Sequence, residues 1–363
     1  MTRNENRPCM GDPLALSGDI LRCPECEAGS LAAGPGNDLV CASCRSQFPL
    51  VDEHGSASLL AGKSKSAIKD DIQKWWGDLY QQAYAGHEDG LDEEGMDERL
   101  VELEDMFRMR HLIAAVEMPL DQLAGRRVLE IGSGAGAHSA LFKRYGAHMT
   151  SVDITPERVM ATARKLALVR EGEGRTYQAD AENLPFQDAS FDLIYSNGVL
   201  HHSENTDRCI GEVHRVLKPG GQAVIMLYAR HSATFWSNIV PRALITGEIF
   251  RWPQPQWIGR LTEGKPKFGQ TKNPITRVYS AAQMRRLFAS FEIKSLRRNS
   301  FQFDNFCIPK LTQIRNRLFA LAGRRAHGGG VMVYGAPYMV ETGLELFLGR
   351  HIGFGWNMVA EKK

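Results

Sequence analysis

An α/β fold built on a mostly parallel sheet is predicted by three features of the chain. Short apolar segments alternate with helix-length amphipathic ones between Arg127 and Tyr228. The first apolar segment, Arg127-Val128-Leu129-Glu130-Ile131, runs directly into the glycine-rich turn Gly132-Ser133-Gly134-Ala135-Gly136. The second ends in an acid, Ser151-Val152-Asp153. Strands joined by helical crossovers lie parallel, and such sheets bind ligands beyond the carboxyl ends of their strands.

The pattern places strands at 127–131, 148–153, 176–179, 191–196 and 222–228, with helices at 136–145, 156–170 and 205–216 between them. Lys218-Pro219-Gly220-Gly221 reads as the turn before the fifth strand. A helix from Ser280 to Ser290 precedes a sixth strand, Phe291 to Leu296, and Gly353 to Ala360 supplies a closing strand. Two insertions, 230–279 and 299–350, leave from the carboxyl-end side, where loops carry specificity. Upstream, Ala61 to Ser66 reads as a linker. Helices follow at Ile68–Tyr84 and Arg99–Val116, the second with apolar positions at Leu100, Leu103, Phe107, Leu112 and Val116.

At 363 residues, with 43% hydrophobic content, the chain has ample material for a core and for more than one unit. No apolar run approaches the roughly 18 residues of a membrane span, and the polar start lacks a signal core, so a cytoplasmic protein is expected. The net charge of +2 hides an asymmetry. His87 to Asp105 carries ten acids and one Arg, while Arg251 to Gly330 carries 16 Lys and Arg against three acids. The basic block is either a solvated face or a contact for an anionic substrate, RNA or headgroups.

Glycines at 132, 134 and 136 let a backbone approach a ligand closely, and Asp153 can hold two ribose hydroxyls. Gly132-x-Gly134-x-x-Ala137 also satisfies a dinucleotide fingerprint. Glu130, two residues before the first glycine, favours another cofactor. A buried carboxylate is costly without a partner. The E-x-G-x-G-x-G pattern, followed by QADAENLPF, FDLIYSNGVLHH and HRVLKPGG, resembles class I S-adenosylmethionine (SAM) methyltransferases over residues 126 to 229. Within that class it is similar to small-molecule enzymes such as those of ubiquinone and menaquinone biosynthesis. The N/D-P-P-Y/F tetrad of exocyclic-amine enzymes and the Pro-Cys pair of cytosine-C5 enzymes are both missing after the fourth strand.

The resemblance implies a Rossmann-like seven-stranded sheet with an N-terminal zinc ribbon, a helical cap and C-terminal insertions. It implies cofactor contacts at Glu130, Gly132, Ser133, Gly134, Gly136, Asp153, Ile154, Asp180, Ala181 and Asn197. Tyr80 or Tyr84 of the cap would face SAM, or else pack in a core. His201 and His202 form the candidate catalytic pair, as general base, pocket lining or helix cap. Tyr228, His231, Arg277 and Tyr279 are candidate substrate contacts. The implied division is a zinc-ribbon module at 1–62, a cap at 63–125 and a SAM-binding core at 126–230. Remaining core elements with substrate-side insertions fill 231–350, and a closing strand 351–363.

Cys23-Pro24-Glu25-Cys26 and Cys41-Ala42-Ser43-Cys44 are two C-x-x-C knuckles separated by 14 residues, the spacing of a structural zinc site. With Gln47 to Val51 they resemble the zinc-ribbon activator subunit of tRNA and protein methyltransferases, fused in cis. The polar Asp52-Glu53-His54-Gly55 departs from that pattern. Cys9, Cys209 and Cys307 read as incidental thiols. The expected activity is methyl transfer from SAM to a small-molecule acceptor, at oxygen or nitrogen. The alternative is a base in ribosomal or transfer RNA: a zinc ribbon before a SAM domain also resembles the ribosomal-RNA guanine-N1 methyltransferases.

Overall fold

The computed structural model describes residues 20–34, 38–83, 85–87, 91–262 and 272–363. Cys9 and Tyr84 lie outside them. An N-terminal sheet of β1 (Leu31–Ala33), β2 (Leu39–Cys41) and β3 (Gln47–Phe48) is followed by β4 (Ala57–Ser58), α1 (Ala67–Ala83), α2 (Glu93–Met109) and α3 (Ile113–Val116). Then come β5 (Arg127–Ile131), α4 (Ala137–Arg144), β6 (His148–Asp153), α5 (Pro156–Leu168), β7 (Glu173–Gln178), β8 (Phe191–Asn197), α6 (Thr206–Val216) and β9 (Leu217–Tyr228). The first insertion folds as α7 (Val240–Thr246), α8 (Glu248–Arg251) and α9 (Gln254–Thr262). After α10 (Ala281–Leu287) and β10 (Phe291–Asn299), the second insertion forms α11 (Leu311–Leu321), α12 (Val331–Tyr334) and α13 (Gly343–Ile352), and β11 (Gly355–Lys362) closes the chain.

The large sheet runs β10-β11-β9-β8-β5-β6-β7-β4. β5 lies between β6 and β8, parallel to both, so chain order reverses there and the crevice opens above its carboxyl end. β11 runs antiparallel between β9 and β10. The seven expected strands are present, and β4 adds an eighth, parallel to β7. It was not foreseen because two residues carry no periodicity. The Arg99–Val116 helix is in fact two, since His111 takes a left-handed φ of 50° after Met109. Lys218 to Gly221 is not a turn before a strand. It is a bulge inside β9: the pairing with β8 jumps from Phe191↔Leu217 to Leu193↔Gln222, and Gly220 has φ 72°.

Leu31, Leu39 and Phe48 of the N-terminal sheet pack in the same core as Tyr177, Phe186 and Phe191 of the large one. Backbone bonds tie the two: Arg22 N–H donates to Pro185 O at 3.0 Å and Gln187 N–H to Ile20 O at 2.7 Å. Asn183 Nδ2 donates to Pro24 O at 3.0 Å and faces Ser64 Oγ, fixing the expected linker against the sheet. On the opposite side a buried Arg110 at the end of α2 donates to both Glu341 oxygens, at 2.8 and 2.7 Å, and to the hydroxyls of Tyr334 and Tyr338. That clamp fixes the α12 segment against α2.

Removing one partner of a buried pair strands the other charge. Arg110→Ala is therefore expected to lower unfolding stability by about 3–5 kcal/mol, read by urea denaturation. Glu341→Leu added to it should recover part of the loss.

Candidate active site

A cavity of about 280 Å³ lies above the carboxyl ends of β5, β6, β7 and β8. Its floor is the turn after β5. Gly132 has φ 77°, and a Cβ there would come within 2.3 Å of Val199 Cγ2. No side chain fits, so the backbone itself forms the wall. Gly134 N–H donates to Asp153 Oδ2 at 3.1 Å, tying the turn to the end of β6. Gly136 does not line the cavity. A Cβ there would meet Thr162 Cα at 2.7 Å, so this glycine lets α4 approach α5.

Asp153 Oδ1 accepts from Thr155 N at 3.0 Å and from its hydroxyl. Of about four acceptor positions on a carboxylate, three are taken, which leaves one on Oδ2 for a ribose hydroxyl. Asp180 Oδ1 accepts from Glu182 N at 2.9 Å, and its Oδ2 pairs with Lys69 Nζ at 2.7 Å. Lys69 also reaches Glu182 at 3.2 Å. Burial works against the Lys69 charge, but the two carboxylates outweigh it and hold its pKa above the ordinary lysine value. Lys69, Ile72, Trp76 and Tyr80 all line the cavity from one face of α1, so this helix is its roof. Arg158 stands 4.9 Å above the Trp76 ring. Ser133, Ile154, Ala181 and Asn197 complete the wall among the expected residues.

Glu130 is buried and also lines the cavity. Burial raises its pKa to about 8, although the Ser139 hydroxyl donates to it. His138 Nδ1 lies 3.7 Å from Glu130 Oε1, but burial lowers the imidazole to about 4, so near pH 7 the two meet as neutral groups. A ligand cation bound beside this buried carboxyl would favour its ionised form. The glycine floor, Asp153 and Glu130 thus fit a nucleoside cofactor with a charged amino-acid end. Met332 and Val333 of α12 close this side. Lys69, His138 and Met332 gave no sequence signal, because each reaches the cavity only through tertiary packing.

The histidine pair divides. His202 lines the cavity, with its ring 5.1 Å from Trp76, and Nδ1 lies 2.9 Å from Thr276 Oγ1 and 3.1 Å from the Ile275 carbonyl. Nδ1 thus faces an acceptor, the Ile275 carbonyl, and a donor, Asn273 Nδ2 at 3.1 Å, contacts that hold the ring in place without selecting one tautomer. His201 is fully buried and outside the lining, 3.9 Å from the Tyr228 ring, and burial drives its pKa well down. None of the four candidate substrate residues reaches the cavity. Tyr228 stacks between His201 and Phe354, at 4.2 Å from the latter, and Tyr279 pairs its backbone with that of Tyr228. Arg277 donates to the carbonyls of Ser203 and Glu204, and His231 is exposed. Arg277 therefore supports the His202 loop from behind.

Cys23, Cys26, Cys41 and Cys44 converge, with all four sulfurs within 4.8 Å of one another. Cys23–Cys44 and Cys26–Cys41 are 3.6 Å apart. Zinc–sulfur bonds of about 2.3 Å put tetrahedral sulfurs roughly 3.8 Å apart. The donor set fits a closed structural zinc site, and none of the four cysteines lines the cavity.

An α/β sheet with a glycine floor, a strand-end acid and a buried carboxyl at the switch-point cavity fits the class of nucleoside-cofactor-binding proteins. Residues 129–225 match the methyltransferase-domain family. The chain is 30% identical over 174 residues to the ubiquinone biosynthesis O-methyltransferase of Aromatoleum aromaticum, covering 44% of this chain and 73% of that one. It is 33% identical over 114 residues to the demethylmenaquinone methyltransferase of Thermus thermophilus, covering 31% of this chain and 51% of the relative. A SAM-dependent methyltransferase structure from Methanosarcina mazei is 21% identical, with a TM-score of 0.43 over 66% of this chain and 93% of that one. The chain belongs to the class I SAM-dependent methyltransferases. It spans about half the length of some of these relatives and nearly three quarters of others.

Two outcomes follow from the geometry. The folded state raises the Glu130 pKa above its unfolded value, so the stability it contributes is present below the usual carboxylate range and is lost as pH rises through about 8. Glu130→Gln should melt higher than the wild type above that pH and match it in acid. Cys41→Ser should lose bound zinc by atomic emission. It should also lower the melting temperature of the whole chain, because ribbon and sheet share one core.

Proposed function

We propose that this protein transfers the methyl group of SAM to a small-molecule acceptor at an oxygen or nitrogen atom. The observation that carries this reading is the cavity floored by Gly132 and Gly134, flanked by Asp153 and Asp180, and roofed by α1. SAM supplies an electrophilic methyl on a sulfonium; the protein supplies position and, for a hydroxyl acceptor, a base. Asp153 takes a ribose hydroxyl. Asp180, with Ala181 beside it, faces the base, and its pairing with Lys69 fixes the carboxylate there. Glu130, ionised by the amino-acid end of the ligand, takes its ammonium.

His202 Nε2 is the base in this reading, and Thr276 and Ile275 orient its ring. His201 acts only by packing beneath it. The apolar Met332–Val333 wall points to an acceptor with a substantial hydrocarbon part. In this scheme residues 63–125 are the cap, 231–350 shape the acceptor side, and the four-cysteine site binds structural zinc. The protein works in the cytoplasm; among the described residues no helix is long and apolar enough to cross a membrane.

RNA is the second reading, and several cations of the basic block are already paired. Arg260 and Lys272 pair with Glu248, Arg297 with Glu117 and Arg315 with Glu345. A phosphate track needs cations free to displace counterions.

The test is transfer of radiolabelled methyl from SAM into separated small-molecule and RNA extracts, with Asp153→Ala beside the wild type. Label in a small molecule, lost in the variant, is expected. Label confined to RNA would contradict the proposal. With the acceptor in hand, His202→Gln is expected to lower kcat by about 10²–10⁴-fold while leaving S-adenosylhomocysteine affinity within about threefold. An unchanged rate would remove the base from the scheme.

A further inference from the structure

Helix α11 buries a charged side chain and exposes an apolar stripe. The side chain it buries is a charged one, Arg315, whose guanidinium donates to both oxygens of Glu345 on α13 at 2.9 Å each. Ile314, Leu318 and Leu321 recur at intervals of four and three, which puts them on one face of the helix. That face is in solvent: the three are 48%, 59% and 85% exposed. A soluble helix normally turns such a stripe inward. Here Arg315 anchors the helix to the protein beside half-buried Leu311 and Phe319, and the Ile314, Leu318 and Leu321 stripe is left outward.

The surroundings extend the face. Glu345 Oε1 also accepts from Phe303 N at 2.9 Å, and Phe303 is 41% exposed. The loop that follows carries exposed Ile308 and is held to the first insertion by Cys307 N–H donating to Ser237 O at 3.0 Å. Trp236, next to Ser237, is 57% exposed. The segment that carries the stripe is basic, with Asp304 just before it and Asp105 of α2 paired with His327 near its end. Between Asn305 and Gly330 the chain has five Lys and Arg and no acid. Lys310, Arg317 and Arg325 among them are exposed.

We propose that this face docks the protein on the surface of an anionic lipid bilayer, with α11 lying in the plane of the headgroups. Exposed aliphatic and aromatic side chains enter the acyl boundary, and the surrounding cations meet acidic headgroups. A protein partner would be expected to offer acids at fixed positions to particular arginines. A bilayer asks only for an apolar stripe bordered by positive charge, which is what the helix presents. The docking is peripheral and does not depend on the identity of the methyl acceptor.

The experiment is flotation of the full-length protein with phosphatidylcholine vesicles, with and without roughly 30% phosphatidylglycerol. The protein is expected to float with the acidic vesicles and to stay behind with the neutral ones. The Ile314→Ser/Leu318→Ser/Leu321→Ser variant should partition at least about tenfold more weakly, with a melting temperature no lower than the wild type, since all three side chains are exposed. Arg317→Glu/Arg325→Glu should weaken binding to acidic vesicles by a similar factor and make its remaining salt dependence shallower. No flotation, or equal flotation of wild type and both variants, would overturn the proposal. So would a dimer in sedimentation that the serine variant abolishes, because the stripe would then belong to a second copy of the chain.

Discussion

The position of β5 between β6 and β8 is the constraint on which the site depends. Because the strands on either side connect in opposite directions, no crossover covers the carboxyl end of β5, and a crevice is left there. Everything placed at that crevice answers to it. Gly132 turns where Val199 leaves no room for a side chain. Asp153 ends β6 at the height where its carboxylate meets Gly134 N–H. Glu130 sits one strand position inside the edge of the sheet, where it loses water but still borders the cavity. A single register of three parallel strands thus sets the floor, the acid and the buried carboxyl together.

The elements outside the core act on the same cavity from different sides. Helix α1 roofs it and contributes Lys69, which holds Asp180 by an ion pair. The α12 segment supplies the apolar wall, and the Arg110 clamp fixes that segment to α2. The four-cysteine ribbon contributes no residue to the cavity lining. Its effect is on the sheet, where it shares the core and adds β4 beside β7, the strand that leads to Asp180. The sheet and α1 form most of the cavity, and Met332 and Val333 of the second insertion close part of it.

Local patterning made the core legible in the sequence. Strands 127–131 and 148–153 and the starts of 191–197 and 291–299 are set by apolar runs bounded by glycine, proline or acid, and those signals are local. The cofactor residues followed from the glycine turn and the strand-end acids, and nearly all of them line one cavity. What was not legible depends on distant segments meeting. The partner of Asp180 lies 111 residues earlier at Lys69, and Arg110 meets Glu341 across 231 residues. The candidate substrate contacts failed for a related reason. Tyr228, Arg277 and Tyr279 are close to the His202 loop in space, but none of them is in the cavity lining. His201 and His202 are adjacent in sequence and chemically alike, yet only one of them borders the cavity.

Amide hydrogen exchange with and without S-adenosylhomocysteine tests the central claim most directly. The account predicts slowed exchange in the glycine turn, at the ends of β6 and β7, and along the face of α1 that carries Ile72, Trp76 and Tyr80. The four-cysteine ribbon should be unaffected. Protection that spares the glycine turn, or binding with no protection at the sheet ends, would contradict the placement of the cofactor.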